Sequence, residues 1–173
     1  KQRIDEIQSV INIKGLDEQK QNIINKLSYI NIITSLDTFI CDIILTKIIQ
    51  DEESFNNFFN SIPPCKKKDE MTKLKEDNLV AQWEQKVIEY VMRTSYSNID
   101  TIKDILKELF KVSIIDTNGK MKKHFYYRNL LAHRNGRKKD GGYINITNEE
   151  LKSLITDTQS IAKQIQTKIK PEH

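Results

Sequence analysis

Apolar residues recur at intervals of three and four along most of this chain, a spacing that predicts helices rather than strands. Ile4, Ile7 and Ile11 mark a first short amphipathic helix, with Gly15 as its stop. A long helix is predicted over about 17–50, carrying Ile23, Ile24, Leu27, Ile30, Phe39, Ile43 and Ile44. Phe55, Phe58 and Phe59 add a further turn or two before Pro63-Pro64 closes the segment. Residues 65–77 are almost wholly polar, with Lys66, Lys67 and Lys68 in a row, and read as a mobile surface loop or a frayed helical start.

Helical spacing resumes over 78–95, around Trp83, Val87 and Val91, and over 100–112, around Ile102, Ile105, Leu106 and Leu109. Asp116 to Gly119 reads as a turn. The next helix begins near Met121 and ends at Asn135-Gly136, a pair that commonly stops a helix. Gly141-Gly142 and the alternation from Tyr143 to Ile146 predict a short extended piece. Thr147 and Glu150 have the spacing of a capping box, and they open a last helix through Leu151, Leu154, Ile155, Ile161, Ile165 and Ile169. These elements predict an all-α fold, a single helical bundle over 1–173 with a long hydrophobic second helix.

Composition narrows the picture. The 173 residues suffice for one buried core, and 30% charged against 38% hydrophobic residues fits a soluble globular domain. No apolar run nears the roughly 20 residues of a membrane span, since Asp42 interrupts the richest one, Phe39 to Leu45. The start has no signal-peptide layout and no Met, as expected of a piece of a longer protein. Cys41 and Cys65 stand far apart, in no metal-like spacing; Cys41 reads as a buried reduced thiol, and the cytoplasm is the expected compartment.

The net charge of +4 is unevenly distributed. Between Thr117 and Lys139 there is no acidic residue, whereas Lys120, Lys122, Lys123, Arg128, Arg134, Arg137, Lys138 and Lys139 are all cationic. The rest of the chain holds 20 Lys and Arg against 24 Asp and Glu, so the net positive charge belongs to this one window. Such a patch attracts polyanions through counterion release. A solvated loop is the plainer reading of a lysine run, but this run encloses a chemical motif.

That motif is Phe125-Tyr126-Tyr127-Arg128-Asn129-Leu130-Leu131-Ala132-His133-Arg134-Asn135-Gly136. On a helix, Asn129 and His133 share a face, while Leu130 and Leu131 turn elsewhere and anchor the helix. Arg128, Asn129 and His133 then form a polar ridge near the helix end. Arginine offers a planar fork of donors that suits a phosphate, and histidine suits proton transfer near neutrality. Asn129 can orient the imidazole or bind substrate. The set fits RNA cleavage by the 2′-OH on its neighbouring phosphate, with Arg128 stabilising the charged transition state. That chemistry needs no metal or other cofactor, and none is expected. Tyr126 and Tyr127 read first as core residues, with base stacking as the alternative; Trp83 reads as packing.

The histidine supply limits how such a site can be built. His124 lies nine positions before His133, so a continuous helix points it the opposite way. His173 is the last residue. A second proton-transfer group is therefore best supplied by a second copy of His133, in a two-fold homodimer.

The motif resembles the signature of the HEPN superfamily, in which Arg, often followed by Asn, precedes His by a few residues near a helix end. The trailing Asn135-Gly136 is similar to branches found in phage-defence and toxin systems. Those branches carry an acidic residue near an aromatic one on an earlier helix, as Ser35-Leu36-Asp37-Thr38-Phe39 does here. The resemblance implies a metal-independent endoribonuclease with Arg128, Asn129 and His133 at its centre. It also implies paired domains sharing one cleft, and Asp37 behind Arg128, where an ordinary polar position is the competing reading. RNA contacts fall to Lys122, Lys123, Arg134, Arg137, Lys138 and Lys139. An antitoxin or an additional domain is a further expected partner, and a membrane is not.

Three alternatives stay open. A catalytically silent HEPN domain would bind RNA or a partner, but such branches typically lose the Arg or the His, and both are present. The HEPN toxin paired with a nucleotidyltransferase antitoxin carries Tyr two residues after the His, where this chain has Asn135. A purely structural oligomerisation module would explain the bundle but not the charge gathered at 120–139.

Overall fold

The computed structural model describes residues 2–11, 13, 15–94, 96 and 98–169. Among them, eight α-helices follow one another: α1 (Gln2–Ile11), α2 (Glu18–Gln50), α3 (Glu52–Ser61), α4 (Lys66–Glu76), α5 (Val80–Arg93), α6 (Ile99–Phe110), α7 (Lys120–Arg134) and α8 (Asn148–Lys168). A single 3-10 turn at Thr117–Gly119 leads into α7. The all-α expectation holds. Residues 143–146 form no strand; the only pairing there is one antiparallel bridge between Arg137 and Tyr143.

The 33 residues of α2 make it the central rod, about 50 Å long, against which α1, α3, α5, α7 and α8 pack. Asp17 caps its start by accepting the Lys20 N–H at 2.8 Å. Its inward stripe runs through Ile32, Ile33, Leu36, Ile40, Ile44 and Ile48, all nearly inaccessible. In the first turns, the sequence places Ile23 and Leu27 among the helix's apolar positions. Both face out, and Asn25, Ser28 and Tyr29 turn inward instead. Polar partners before α8 and on α7 meet Asn25 and Tyr29 there, so the buried face of α2 is polar at one end and aliphatic along the rest.

The amphipathic faces of α5, α6 and α8 close the core. Trp83 packs edge-on to Phe55 and Phe59, as a packing residue should. The capping box of Thr147 and Glu150 is formed in both directions and starts α8. The polar segment 65–77 is not a loop: α4 occupies most of it. Only Met71 of that helix is buried, so it shows no apolar stripe to read. It lies against α5 by Met71 and Leu74 and is tied back by Lys68, whose Nζ donates to the carbonyls of Asn60 and Ile62. Cys41 is half-buried rather than buried, and burial pushes its thiol pKa up. No helix among the described residues is long and apolar enough to cross a membrane.

Candidate functional site

The carboxylate of Asp116 opens α7 by accepting the N–H groups of Met121 at 2.9 Å and Lys122 at 3.4 Å. Met121, His124, Phe125 and Leu131 form its buried stripe, joined by Leu130. Arg128 follows the same three-and-four spacing, so it stands on the margin of that stripe rather than on a fully exposed ridge. It is half-buried, and its Nε is enclosed with no hydrogen-bond acceptor in reach. The charged fork is carried outward from there: Nη1 donates to Asn129 Oδ1 at 3.1 Å. Asn129 and His133 are exposed, one turn apart, on the face beside it.

Asp37 projects from α2, half-buried, and its Oδ1 accepts the backbone N–H of Tyr96 at 2.7 Å. Burial raises its pKa; the Tyr96 N–H and the Arg128 charge pull it back down. Arg128 and Asp37 thus lie within electrostatic reach, though no direct hydrogen bond or ion pair joins them. Sequence reasoning missed Tyr96, which ties Asp37 to the segment between α5 and α6; its one signal was an aromatic residue outside any predicted helix.

α7 ends at two consecutive left-handed residues, Asn135 (φ 50°) and Gly136 (φ 79°). The Gly136 N–H returns to the Leu130 carbonyl at 2.9 Å, satisfying the helix end. The chain then doubles back in a small hairpin: Lys138 N–H donates to Gly142 O at 2.7 Å, and Ile144 N–H donates to Gly136 O at 2.9 Å. Directly after the His133 turn, this hairpin sets Arg134, Arg137, Lys138, Lys139 and Gly141 around an open cleft of about 670 Å³.

The other cations of the acid-free window lie elsewhere and are engaged. Lys122 pairs with Asp100 at 2.9 Å, and Lys120 Nζ stands 3.5 Å from Asp157. Lys123 lies over the Tyr127 ring at 5.1 Å. From Lys122 to Arg134 is twelve helical steps, about 18 Å along the axis. The window that is continuous in sequence is two groups in space, and acids from α6 and α8 neutralise much of the first. Tyr127 packs against the core near Tyr29, whereas Tyr126 is 48% exposed.

His124 is buried at the junction of α2, α7 and α8. Tyr29 O–H donates to its Nδ1 at 2.6 Å, and its Nε2 lies 3.1 Å from Asp157 Oδ2. Burial lowers its pKa more than Asp157 raises it. The neutral imidazole, with Nε2–H donating to Asp157 and Nδ1 accepting from Tyr29, satisfies every partner. His124 is thereby a structural group facing away from the exposed end of α7. His173 lies outside the described residues. Among the described residues, no group of three or more His, Cys, Asp or Glu is placed to hold a metal ion.

Compared with known protein families, the chain matches the family described as RiboL-PSP-HEPN over residues 1–171. No curated protein and no solved structure matches it.

Proposed function

The chain belongs to the RiboL-PSP-HEPN family, and from that premise we propose that it is a metal-independent endoribonuclease acting as a homodimer. The observation that carries this reading is the exposed end of α7, where Arg128, Asn129 and His133 adjoin an open cleft lined by Arg134 and three hairpin cations. In the proposed reaction, one His133 removes the proton of a ribose 2′-OH, and that oxygen attacks the adjacent phosphorus. The bond from phosphorus to the 5′-oxygen breaks, and the leaving oxygen takes a proton from the second copy of His133. The products are a 2′,3′-cyclic phosphate and a free 5′-OH. Arg128, with its enclosed Nε and outward fork, stabilises the charge that builds on the phosphate oxygens. Asn129 holds the fork, and Asp37 lies behind it as a positioning residue.

RNA is held by Arg134 at the end of α7 and by the hairpin cations Arg137, Lys138 and Lys139, with Lys123 and Lys122 as outlying contacts. The likeness of the motif string to phage-defence and toxin branches supports a role of that kind, with an antitoxin or a further domain as additional partner. The free thiols of Cys41 and Cys65 fit a reducing compartment such as the cytoplasm.

Incubation with mixed RNA, in the presence and absence of EDTA, tests the reading. Cyclic phosphate ends should form equally in both, all-2′-deoxy substrate should resist, and His133→Ala should lose about 10²–10⁴-fold in rate. Full loss in EDTA, or cutting of the deoxy substrate, would reject the mechanism. Salt-sensitive RNA binding without cleavage would instead identify a catalytically silent member of the family.

A further inference from the structure

The chain holds six Phe, six Tyr and one Trp. Among the described residues, all but two of these rings are buried or half-buried; the exceptions are Tyr126 and Tyr143, 48% and 64% exposed. A single exposed tyrosine is ordinary on a protein surface. Here both fall in the stretch that also carries His133 and the basic cleft, and neither ring joins the core. Packing therefore does not account for them.

Helical geometry places the first. Tyr126 precedes His133 by seven residues, so the two lie within about 20° of each other around α7 and about 10.5 Å apart along it. Asn129 stands between them on the same exposed face. The half-buried ring of Tyr127 braces Tyr126, with centroids 6.1 Å apart and planes tilted by 49°.

Hairpin pairing places the second. The bonds from Lys138 N–H to Gly142 O and from Ile144 N–H to Gly136 O lie on either side of the bridged pair Arg137 and Tyr143. The pair itself exchanges no backbone hydrogen bond, the arrangement in which opposite side chains share one face of the ribbon and lie closest. Arg137 lines the basic cleft, so Tyr143 stands at the edge of that cleft. The two exposed rings thus bracket His133, one before it on α7 and one after the helix stop.

We propose that Tyr126 and Tyr143 are stacking platforms for unpaired bases on the two sides of the cut bond. The proposal rests on the RNA reading above for its ligand. A single strand offers both of the groups this surface can hold: its phosphates take the cations, and its bases lie on the rings. Every base has a π-face, so the platforms select for unpaired bases rather than for a sequence. A duplex keeps its bases stacked on one another and offers neither ring a face. Tyrosine has only two side-chain torsions to fix, so ordering it costs little. Two held bases also set the course of the strand between them, where the 2′-OH, the phosphorus and the leaving 5′-oxygen must come into line.

Binding of a short single-stranded oligouridine to His133→Ala protein, chosen so that the strand survives, tests the platforms. At low salt, Tyr126→Ala and Tyr143→Thr should each weaken binding about five-fold or more, the loss of one stacked base. Tyr126→Phe and Tyr143→Phe, which keep the rings, should leave it unchanged. A strand of equal length made of abasic ribose phosphates carries the same charge and no bases, and the parent and all four variants should bind it alike. Oligouridine binding that ignores the loss of a ring overturns the proposal for that ring. Abasic binding that falls along with it overturns the proposal as well, because the ring then serves the fold or the phosphate contacts. Sedimentation should show one oligomeric state throughout; dissociation on Tyr126→Ala would place that ring between copies instead of on a base. All these failures leave the RNA reading standing while the parent binds oligouridine in a salt-sensitive way. A parent that binds none at low salt rejects both.

Discussion

A neutral imidazole is the form that the partners of His124 accept, and that choice carries a pH dependence. Burial holds its folded pKa below the ordinary value near 6.5, so the unfolded chain takes up the proton first as pH falls. Stability is thus complete above about pH 6.5 and declines through the window beneath it, by at most about 1.4 kcal/mol per pH unit. The lowered carboxyl groups of Asp17, Asp51, Glu89 and Asp100 act in a separate, more acidic window. Urea unfolding at pH 7.5, 6.5 and 5.5 should show midpoints that fall only across the lower interval; a flat series would mean that His124 is not held neutral. Tyr29→Phe removes the donor to buried Nδ1 and should cost about 1–3 kcal/mol at pH 7.5, read from the same urea midpoints.

Among the elements, the stop after α7 has the most exacting geometry. Gly136 has φ of +79°, and a Cβ there would meet Leu131 Cδ2 at 3.3 Å. Gly136→Ala should lower stability by about 1–2 kcal/mol from the left-handed backbone alone, and it should weaken RNA binding by displacing the hairpin that carries Arg137, Lys138 and Lys139. An unchanged melting temperature would show that the stop tolerates a side chain. Helices with an apolar stripe, such as α6 and α8, were legible in the sequence because burial repeats at the helical period. α4 was not, since Met71 is its only buried residue and its helicity rests on the propensity of Lys, Glu and Leu and on ties from Lys68. Within the candidate site, the shared exposed face of Asn129 and His133 was legible because local spacing fixes it, whereas the half-burial of Arg128 at the edge of the buried stripe was not. The neutralisation of Lys122 by Asp100 and the capture of His124 by Tyr29 and Asp157 were not, because each pairs residues at least 22 positions apart.

For the whole molecule, histidine supply is the governing constraint. With His124 enclosed between Tyr29 and Asp157, one protomer presents a single exposed histidine on α7. Mixed dimers, in which one chain carries His133→Ala, should therefore retain far less than half the activity of the intact pair; half would mean that each protomer cuts alone. The stop after α7 also bears on how the protein ages. Asn followed by Gly is the pair most prone to deamidation, because an unshielded glycine nitrogen attacks the asparagine carboxamide and closes a succinimide ring. Here the Gly136 N–H is spent on the Leu130 carbonyl, so the ring can close only when the helix end unwinds. Every such event converts Asn135 into an acid within the stretch that is otherwise free of them. The slow appearance of an earlier-eluting species on a cation exchanger is therefore a clock for the opening of the helix end beside His133.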